Sequence, residues 1–329
     1  MKAKYLILLL ITSAYCVTSG CSLIYDYNNC PSDETFSVDN DWKYAPTASP
    51  EGMAYMFFPN DGNEPWRFDF PGRNGGNVNL PDGNYSVMTF NDDTSCILFS
   101  NYNDYANLTF HCRKGGLYDG LGGTIDNPLG PDTSAAGEDV EICPDTIWCC
   151  TTDYCSLHPD GVDIATDSTP SVDHINSRKL TLYPRLATAC YTYTIHNVAN
   201  LKGVAQMCAS LSGMASSLRP SDMFRGGPVT LPVKAKATDS ETISGNFLTY
   251  GLPSNPNAQN TLSLYVWLVD GKKYCFTFDV SQQISDAPDP LHVDIHISHL
   301  SLPEAGDPIG GSFDVDVDDW ITIIINIQS

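Results

Sequence analysis

Residues 53–72, MAYMFFPNDGNEPWRFDFPG, contain two apolar segments separated by a turn signal. Aromatic or apolar side chains recur at every second position of both segments, Met53–Phe57 and Trp66–Phe70. The intervening Pro59-Asn60-Asp61-Gly62 is rich in the residues that β-turns favour. Period-two alternation around a turn is typical of adjacent antiparallel strands, so this stretch predicts β-structure.

The same pattern recurs about every ten residues, a spacing typical of β-sandwiches. Further strands are predicted at 36–42, 78–80, 85–89, 96–99, 108–112, 180–182, 191–195, 229–233, 245–249, 262–268, 274–280 and 293–297. A helix is predicted near residues 198–208, and residues 211–218 are predicted as a strand kinked at Gly213. Helices do not alternate with strands, which excludes a parallel α/β sheet and predicts an all-β, antiparallel fold.

Residues 113–170 differ in composition from the strands on either side. Their glycines and prolines predict a long irregular connection, with a domain boundary near residues 165–178. A chain of 329 residues corresponds to about two domains at roughly 150 residues each. The predicted units are an N-terminal domain at 21–170 and a C-terminal domain at 171–329.

The chain is acidic, with 39 Asp and Glu against 17 Lys and Arg and a net charge of −22. Nucleic-acid binding requires clustered cations, so no nucleic-acid partner is expected. Aromatic residues make up 11% of the chain, which excludes intrinsic disorder. After the N-terminus, no apolar run approaches the roughly 20 residues of a membrane-spanning helix.

Residues 1–20 have the features of an export signal: Lys2 and Lys4, then a short apolar core and small residues. Gly20-Cys21 resembles a bacterial lipobox, in which the cysteine is diacylated and becomes the mature N-terminus. Such a lipid would anchor the protein to a membrane without spanning it. Thr18 stands where lipoboxes usually have Leu, and the alternative is ordinary cleavage nearby with Cys21 a plain thiol.

Ten cysteines remain outside the signal and Cys21. Cys143, Cys149, Cys150 and Cys155 lie close to His158, which suggests a zinc site. However, no C-x-x-C pair is present, and adjacent cysteines fit a tetrahedral site poorly. Disulfides or free thiols in a connecting region are favoured instead, with the pairing undetermined. No metal or other cofactor is expected.

Motifs of catalysis are absent from the sequence. There is no G-x-S-x-G elbow, no phosphate-binding glycine loop and no His-Glu-x-x-His. The carboxylates lie mainly in Asn/Asp/Gly turns, which argues against a glycosidase pair. Asp314, Asp316 and Asp318 lack the glycine and glutamate of a calcium loop and are interpreted as a solvated strand face. The protein is therefore expected not to be an enzyme.

The C-terminal segment Trp320–Ile327 is apolar on both faces at residues 323–325. Left uncovered, such a strand would promote aggregation. It is therefore predicted to be buried, either as a central core strand of its own domain or in another molecule.

The sequence resembles the fimbrillin superfamily, the FimA/Mfa-like lipoproteins of type V pili, in particular a branch of Mfa-like domains of unknown function. The matching motifs cover nearly the whole mature chain, but each is a core or turn pattern. They are Asp41-Trp42 and the segments at 50–62, 67–72, 79–91, 182–185, 191–195, 209–215, 246–251, 264–271, 279–284 and 311–320.

The resemblance implies two tandem transthyretin-like β-sandwiches in a lipoprotein displayed at the outer-membrane surface. It also implies that a protease removes an N-terminal strand after Arg or Lys, so that another subunit can insert its own strand. Residues 34–42 are the candidate for the removed strand. Lys43 is the candidate cleavage site, with Arg67 and Arg73 as alternatives in turns.

The donor-strand candidates are Trp320, Ile321, Ile323, Ile325 and Ile327. The expected function is that of a pilus subunit or pilus-anchoring lipoprotein, with other subunits as partners. The alternative is a monomeric surface lipoprotein that binds a glycan or host ligand, with Trp66 and Trp148 as candidates for sugar stacking.

Overall fold

A computed structural model of the protein describes residues 34–165, 172–175, 178–255, 259–308 and 320–325. The strands that begin before residue 190 are β1 (Glu34–Asn40), β2 (Gly52–Pro59), β3 (Trp66–Pro71), β4 (Asn77–Leu80), β5 (Gly83–Asn91), β6 (Ile97–Ser100), β7 (Thr109–Cys112), β8 (Trp148–His158), β9 (Gly161–Ala165), β10 (Val172–Ile175), β11 (Lys179–Leu182), β12 (Arg185–Leu186) and β13 (Ala189–Ile195).

The later strands are β14 (Val198–Ala199), β15 (Val204–Ala215), β16 (Ser217–Arg219), β17 (Phe224–Arg225), β18 (Pro228–Lys234), β19 (Lys236–Ala237), β20 (Ile243–Thr249), β21 (Thr261–Leu268), β22 (Lys273–Asp279), β23 (His292–Ile297), β24 (Leu300–Ser301) and β25 (Ile321–Ile325). Among the residues that the structure describes, helical structure is limited to two 3-10 turns, η1 (Asp119–Leu121) and η2 (Leu201–Gly203), and one short helix, α1 (Ser281–Ser285). Within the described residues, no helix combines the length and the apolar character needed to cross a bilayer. The fold is all-β, as the sequence predicts.

The first sandwich packs a three-stranded sheet, in the order β11-β1-β4, against a larger sheet in the order β10-β9-β8-β5-β2-β3, with β12 paired to β8. The core between them joins Phe36, Val38, Val78, Leu80, Leu180 and Leu182 of the small sheet to Tyr55, Phe57, Val87 and Leu157 of the large one. Each of these side chains is at most 2% exposed. Period-two alternation in each strand supplies this inner face.

The second sandwich packs the sheet β19-β20-β13-β23 against the sheet β18-β15-β21-β22-β25. Tyr191, Tyr193, Ile195 and Ile295 face Leu211, Leu231, Leu264 and Phe276 across its core. Most pairings in both sandwiches are antiparallel, as predicted. The exceptions are the parallel pairs β1–β11, β13–β23, β14–β24 and β22–β25.

Each large sheet is also covered on its outer face. An antiparallel sheet in the order β17-β16-β7-β6 packs on the first, burying Met56, Met88 and Phe110. The glycine-rich stretch at 113–147 packs on the second, where Leu117 and Tyr118 contact Trp267. Residues 113–147 therefore form a layer over the second sandwich, in addition to connecting the strands on either side.

Four strand pairings join residues on either side of the predicted boundary at 170/171. These are β1 with β11, β9 with β10, β8 with β12, and β7 with β16. The two halves of the chain thus share hydrogen-bonded sheets, while their main cores stay separate.

The helix predicted near 198–208 is wrong. This segment contains β14, the turn η2 and the start of β15. Apolar residues occur without strict alternation in β15 because the strand is buried on both faces, between the second core and the layer at 113–147. The kink predicted at Gly213 is present: its φ is +75° and the register with β18 shifts there. Such a bulge favours glycine because other residues rarely adopt a positive φ.

Candidate functional site

The candidate N-terminal strand is β1, and it lies at the centre of the three-stranded sheet. Its first half pairs with β4, from Glu34 opposite Leu80 to Ser37 opposite Asn77. Its second half pairs in parallel with β11, from Ser37 opposite Lys179 to Asn40 opposite Leu182. Removal of β1 would therefore leave both β4 and β11 without their partner, on either side of an open groove.

The side chains of β1 contribute directly to the first core. Phe36 and Val38 are each 1% exposed and pack against the large sheet. Burial of a side chain of this size stabilises a fold by roughly 1.5–3 kcal/mol. Removal of β1 would thus leave an apolar groove, and other apolar side chains would have to take the place of Phe36 and Val38 to fill it.

The chain leaves β1 through a well-anchored loop. Trp42 is 6% exposed, and its Nε1 donates a hydrogen bond to the Arg73 carbonyl at 2.9 Å. The Arg73 guanidinium donates in turn to the Ala48 carbonyl at 3.0 Å. Trp42 also contacts Trp148 edge to face, with the ring centroids 6.3 Å apart. These contacts hold the loop after β1 against the body of the first sandwich.

Lys43, the candidate cleavage site, lies in an exposed turn directly after β1. Its Nζ is 4.0 Å from the ring centroid of Tyr183 and 4.9 Å from that of Tyr44. The Cζ of Arg185 lies 3.9 Å from the Tyr44 centroid. We call these four residues the cation–π ladder, because cations and rings alternate along it. It joins the end of β1 to the segment after β11.

The alternative cleavage sites differ from Lys43 in their backbone setting and their side-chain contacts. Arg67 does not lie in a turn as expected but within β3, opposite Met56, and forms ion pairs with Asp69 at 2.9 Å and Asp92 at 2.7 Å. The strand pattern of Trp66–Phe70 extends through Arg67, which explains the difference. Arg73 follows β3 in a bend, but its side chain bonds the loop after β1.

The candidate donor segment forms β25, an edge strand paired in parallel with β22 from Ile321 opposite Tyr274 to Ile325 opposite Phe278. Ile323 and Ile325 pack against the second core, whereas Ile321 is 50% and Ile324 78% exposed. The segment is thus not a central strand, because β22 is its one paired neighbour among the described residues. Ile327 lies outside the described residues.

Trp320 anchors the start of β25 in an aromatic cluster. Its ring centroid is 4.6 Å from that of Trp267, 5.3 Å from Tyr265 and 5.6 Å from Tyr118. All these contacts lie within the layer formed by residues 113–147 and the outer face of the second large sheet. The cluster fixes the segment at one end, and within the described part of the chain the edge of β25 away from β22 has no paired strand.

The cysteine-rich segment is a strand and not a connection. Cys149, Cys150 and Cys155 lie on β8, between β5 and β9. The nine cysteines in the described residues are free thiols, and no group of three His, Cys, Asp or Glu side chains within that part of the chain is placed to hold a metal ion. Burial raises the pKa of Cys149 and Cys155 to about 12, which disfavours the reactive thiolate. Cys21 lies outside the described residues.

Carboxylates in the described part of the chain mainly stabilise loops. Asp119 accepts hydrogen bonds from the backbone of Gly116 at 2.8 Å and of Leu129 at 2.6 Å. Glu138 accepts from the Gly213 backbone and the Thr230 hydroxyl. A hydrogen bond from Lys272, with a second from the Gly306 backbone, lowers the pKa of Asp270 to about 2. These three carboxylates therefore have structural roles in loops.

The two tryptophans proposed for sugar stacking differ in exposure. Trp148 is half-buried and packs against the first core beside Trp42. Trp66 is 44% exposed and lines a cleft formed by the β2–β3 and β4–β5 turns. Of the two, only Trp66 presents its ring to a potential ligand.

A family model described as a domain of unknown function, DUF5119, matches residues 19–226, more than half of the chain. No curated protein sequence matches this chain. Among solved structures, a candidate adhesin from Bacteroides ovatus is similar, with 17% identity and a TM-score of 0.60 over 88% of this chain and 99% of that one. This similarity shows a shared fold.

Two further structures are more distant. The fimbrial anchor protein Mfa2 from Porphyromonas gingivalis is 14% identical, with a TM-score of 0.46 over 82% of this chain and 91% of that one. A second candidate adhesin from Bacteroides ovatus is 10% identical, with a TM-score of 0.48 over 82% of this chain and 90% of that one.

Proposed function

We propose that this chain, which belongs to the family described as a domain of unknown function, DUF5119, is a non-enzymatic subunit or anchor of a surface pilus that assembles by β-strand addition. In this proposal it is a fimbrillin-type lipoprotein, held in the outer membrane by lipid on Cys21. Its partners are other pilus subunits. The description of its structural relative from Bacteroides ovatus as a candidate adhesin agrees with a surface role.

The observation that carries the proposal is the central position of β1, followed at once by an exposed lysine. A cut after Lys43 separates β1 from the rest of the chain. Release of this strand would expose the edges of β4 and β11 and the apolar side chains that pack against Phe36 and Val38. An open groove between two strand edges favours insertion of a new strand, because main-chain hydrogen bonds and apolar burial are both restored.

The pattern of β25 is compatible with that groove. Ile323 and Ile325 project to one face at the same two-residue spacing as Phe36 and Val38 of β1. A donor strand of this pattern would fill two adjacent core positions of another subunit. Its hydrogen bonds to β22 involve one edge only, so β25 has a lower barrier to release than a central strand.

The experiment uses the chain from residue 21 and an Arg/Lys-specific protease. We expect a product that begins at Tyr44 and ladders of SDS-resistant multimers in unboiled gels. Lys43→Gln should abolish both, whereas Lys236→Gln, which alters an exposed lysine on β19, should change neither. Processed protein that has lost residues 21–43 and stays monomeric would refute strand addition.

A peptide competition tests the donor. An excess of a synthetic peptide spanning 318–329 should block ladder formation by processed protein, because it occupies the groove. The same peptide with Ile325→Asp should not, since it would place a charge in an apolar core. Equal inhibition by both peptides would contradict the assignment of this segment as donor.

A lipid on Cys21 is tested separately. We expect radiolabelled palmitate to be incorporated into the full chain and to be lost in Cys21→Ala. Incorporation that persists in Cys21→Ala would refute the lipobox interpretation.

A further inference from the structure

We propose that the cleft beside Trp66 is a binding site for a neutral carbohydrate chain. The cleft has a volume of about 950 Å³ and lies at one end of the first sandwich. It is lined by the β2–β3 turn, the start of β3 and the β4–β5 turn, through residues 59–61, 63–66 and 81–85. None of these residues belongs to β1, the cation–π ladder or β25, so the site is independent of strand addition.

Trp66 provides the platform of the cleft. Its side chain is 44% exposed, although tryptophan is usually buried to a high degree. It pairs across the strands with Phe57, whose ring packs edge to face on Tyr85 with centroids 6.0 Å apart. The exposed indole therefore lies next to the buried rings of Phe57 and Tyr85 and extends this aromatic row toward the solvent. An exposed aromatic face can stack on the apolar C–H face of a sugar ring.

Polar groups surround this platform. Asn60, Asn63 and Asn84 line the cleft, and amide side chains both donate and accept hydrogen bonds, as sugar hydroxyls do. A concave site with one apolar platform and a few convergent polar groups is typical of small-molecule recognition. The same polar rim would make the cleft a poor site for an apolar peptide.

The cleft is held in shape before any ligand binds. The Asn60 backbone donates to the Asn84 carbonyl at 2.9 Å, which joins the β2–β3 turn to β5. The Tyr85 hydroxyl donates to the Pro81 carbonyl at 2.7 Å, which fixes the β4–β5 turn. The Asn63 backbone and side chain both donate to the Asp61 carboxylate. A preformed site avoids the entropic cost of ordering loops on binding.

The charge of the lining selects the class of carbohydrate. Asp61, Glu64 and Asp82 contribute carboxylates, and no Lys or Arg is among the lining residues, all of which lie in the described part of the chain. Uronic acids, sialic acid and sulfated sugars would place anions beside these carboxylates and be repelled. The ligand is therefore a neutral glycan.

The test is affinity electrophoresis of the unprocessed chain from residue 21 in native gels. The gels contain laminarin, galactomannan or dextran as neutral probes, and hyaluronate or heparin as acidic ones. We expect at least one neutral probe to retard the protein and neither acidic probe to do so. Trp66→Ala should weaken retardation by about tenfold or more, equivalent to about 1.4 kcal/mol. Trp66→Phe should retain part of it.

Phe224→Ala is the matched control, because Phe224 is an exposed aromatic residue (38%) on β17, in the other half of the chain. It should bind as the unaltered protein does. The proposal is overturned if no neutral probe retards the protein, if Trp66→Ala is retarded equally, or if an acidic probe binds more tightly. The measurement uses monomer that has not been cleaved, so failure of strand addition leaves its outcome unaffected.

Discussion

The two terminal strands of the described chain both place apolar side chains against a core, yet they are held in opposite ways. β1 is hydrogen-bonded on both sides and inserts Phe36 and Val38 completely into the first core. β25 is bonded on one side, and Ile324 is 78% exposed. The difference shows that apolar composition does not determine how firmly a strand is bound. Firm binding depends on the number of paired edges and buried faces.

This contrast assigns the strands different roles in the proposed assembly. A central strand leaves an apolar groove when it is removed, which is the property of an acceptor. An edge strand can detach while the rest of its sheet stays paired, which is the property of a donor. Substitutions in each strand and at its anchoring contacts test this difference between β1 and β25.

The largest effect is expected from Phe36→Ala in β1. Loss of a fully buried aromatic side chain costs about 3–5 kcal/mol, since the cavity adds to the lost burial. Urea unfolding at neutral pH measures it. A loss below about 1 kcal/mol, within the range of ordinary point substitutions, would mean that β1 contributes little to the first core.

A smaller effect is expected from Trp320→Ala at the start of β25. The side chain is only partly buried, so a loss of about 2 kcal/mol is expected, less than for full burial of tryptophan. Hydrogen exchange of residues 321–325 should accelerate, while that of β1 stays unchanged. Equal acceleration in both strands would show that the two termini are energetically coupled.

Tyr183→Ala removes one ring of the cation–π ladder. An exposed cation–π contact contributes about 0.5–1 kcal/mol. We expect little change in unfolding, but faster cleavage after Lys43, because the Lys43 side chain loses its contact with the Tyr183 ring. The measurement is the rate at which the product beginning at Tyr44 appears. Tyr102→Ala, another exposed tyrosine, is the control; an unchanged rate in Tyr183→Ala would exclude a protective role.

The smallest effect on stability is expected from Ile324→Thr, on the free face of β25. Substitution of an exposed residue changes stability by less than about 0.5 kcal/mol. Solubility at high concentration should nevertheless rise, because an exposed apolar edge promotes aggregation. Light scattering over time provides the readout. A large loss of stability would indicate that Ile324 packs on a partner in solution.

Much of the fold could be predicted from alternation alone. The strands around Tyr55, Phe68 and Val87 lie where the period-two pattern indicates. The pattern failed where a strand is buried on both faces. β15 lacks strict alternation for this reason and was predicted as partly helical. β8, which is mostly half-buried, was missed separately, because the cysteine-rich segment was assigned to a connection.

The candidate site was only partly predictable. The strand at β1 and the lysine after it follow from local sequence. The partner of β1 does not, because β11 is far away along the chain and no local signal specifies a parallel pairing. The cation–π ladder depends on that pairing, since it brings Tyr183 and Arg185 beside Tyr44. The burial of Trp148 could not be predicted either, because the neighbouring cysteines do not indicate which face of the strand the tryptophan occupies.

The antiparallel sheet β17-β16-β7-β6 has a mechanical consequence. Because β7 and β16 come from different halves of the chain, relative rotation of the halves would strain the hydrogen bonds between them. Tension that pulls the two halves apart would therefore load these backbone hydrogen bonds, together with the other strand pairs that join the halves.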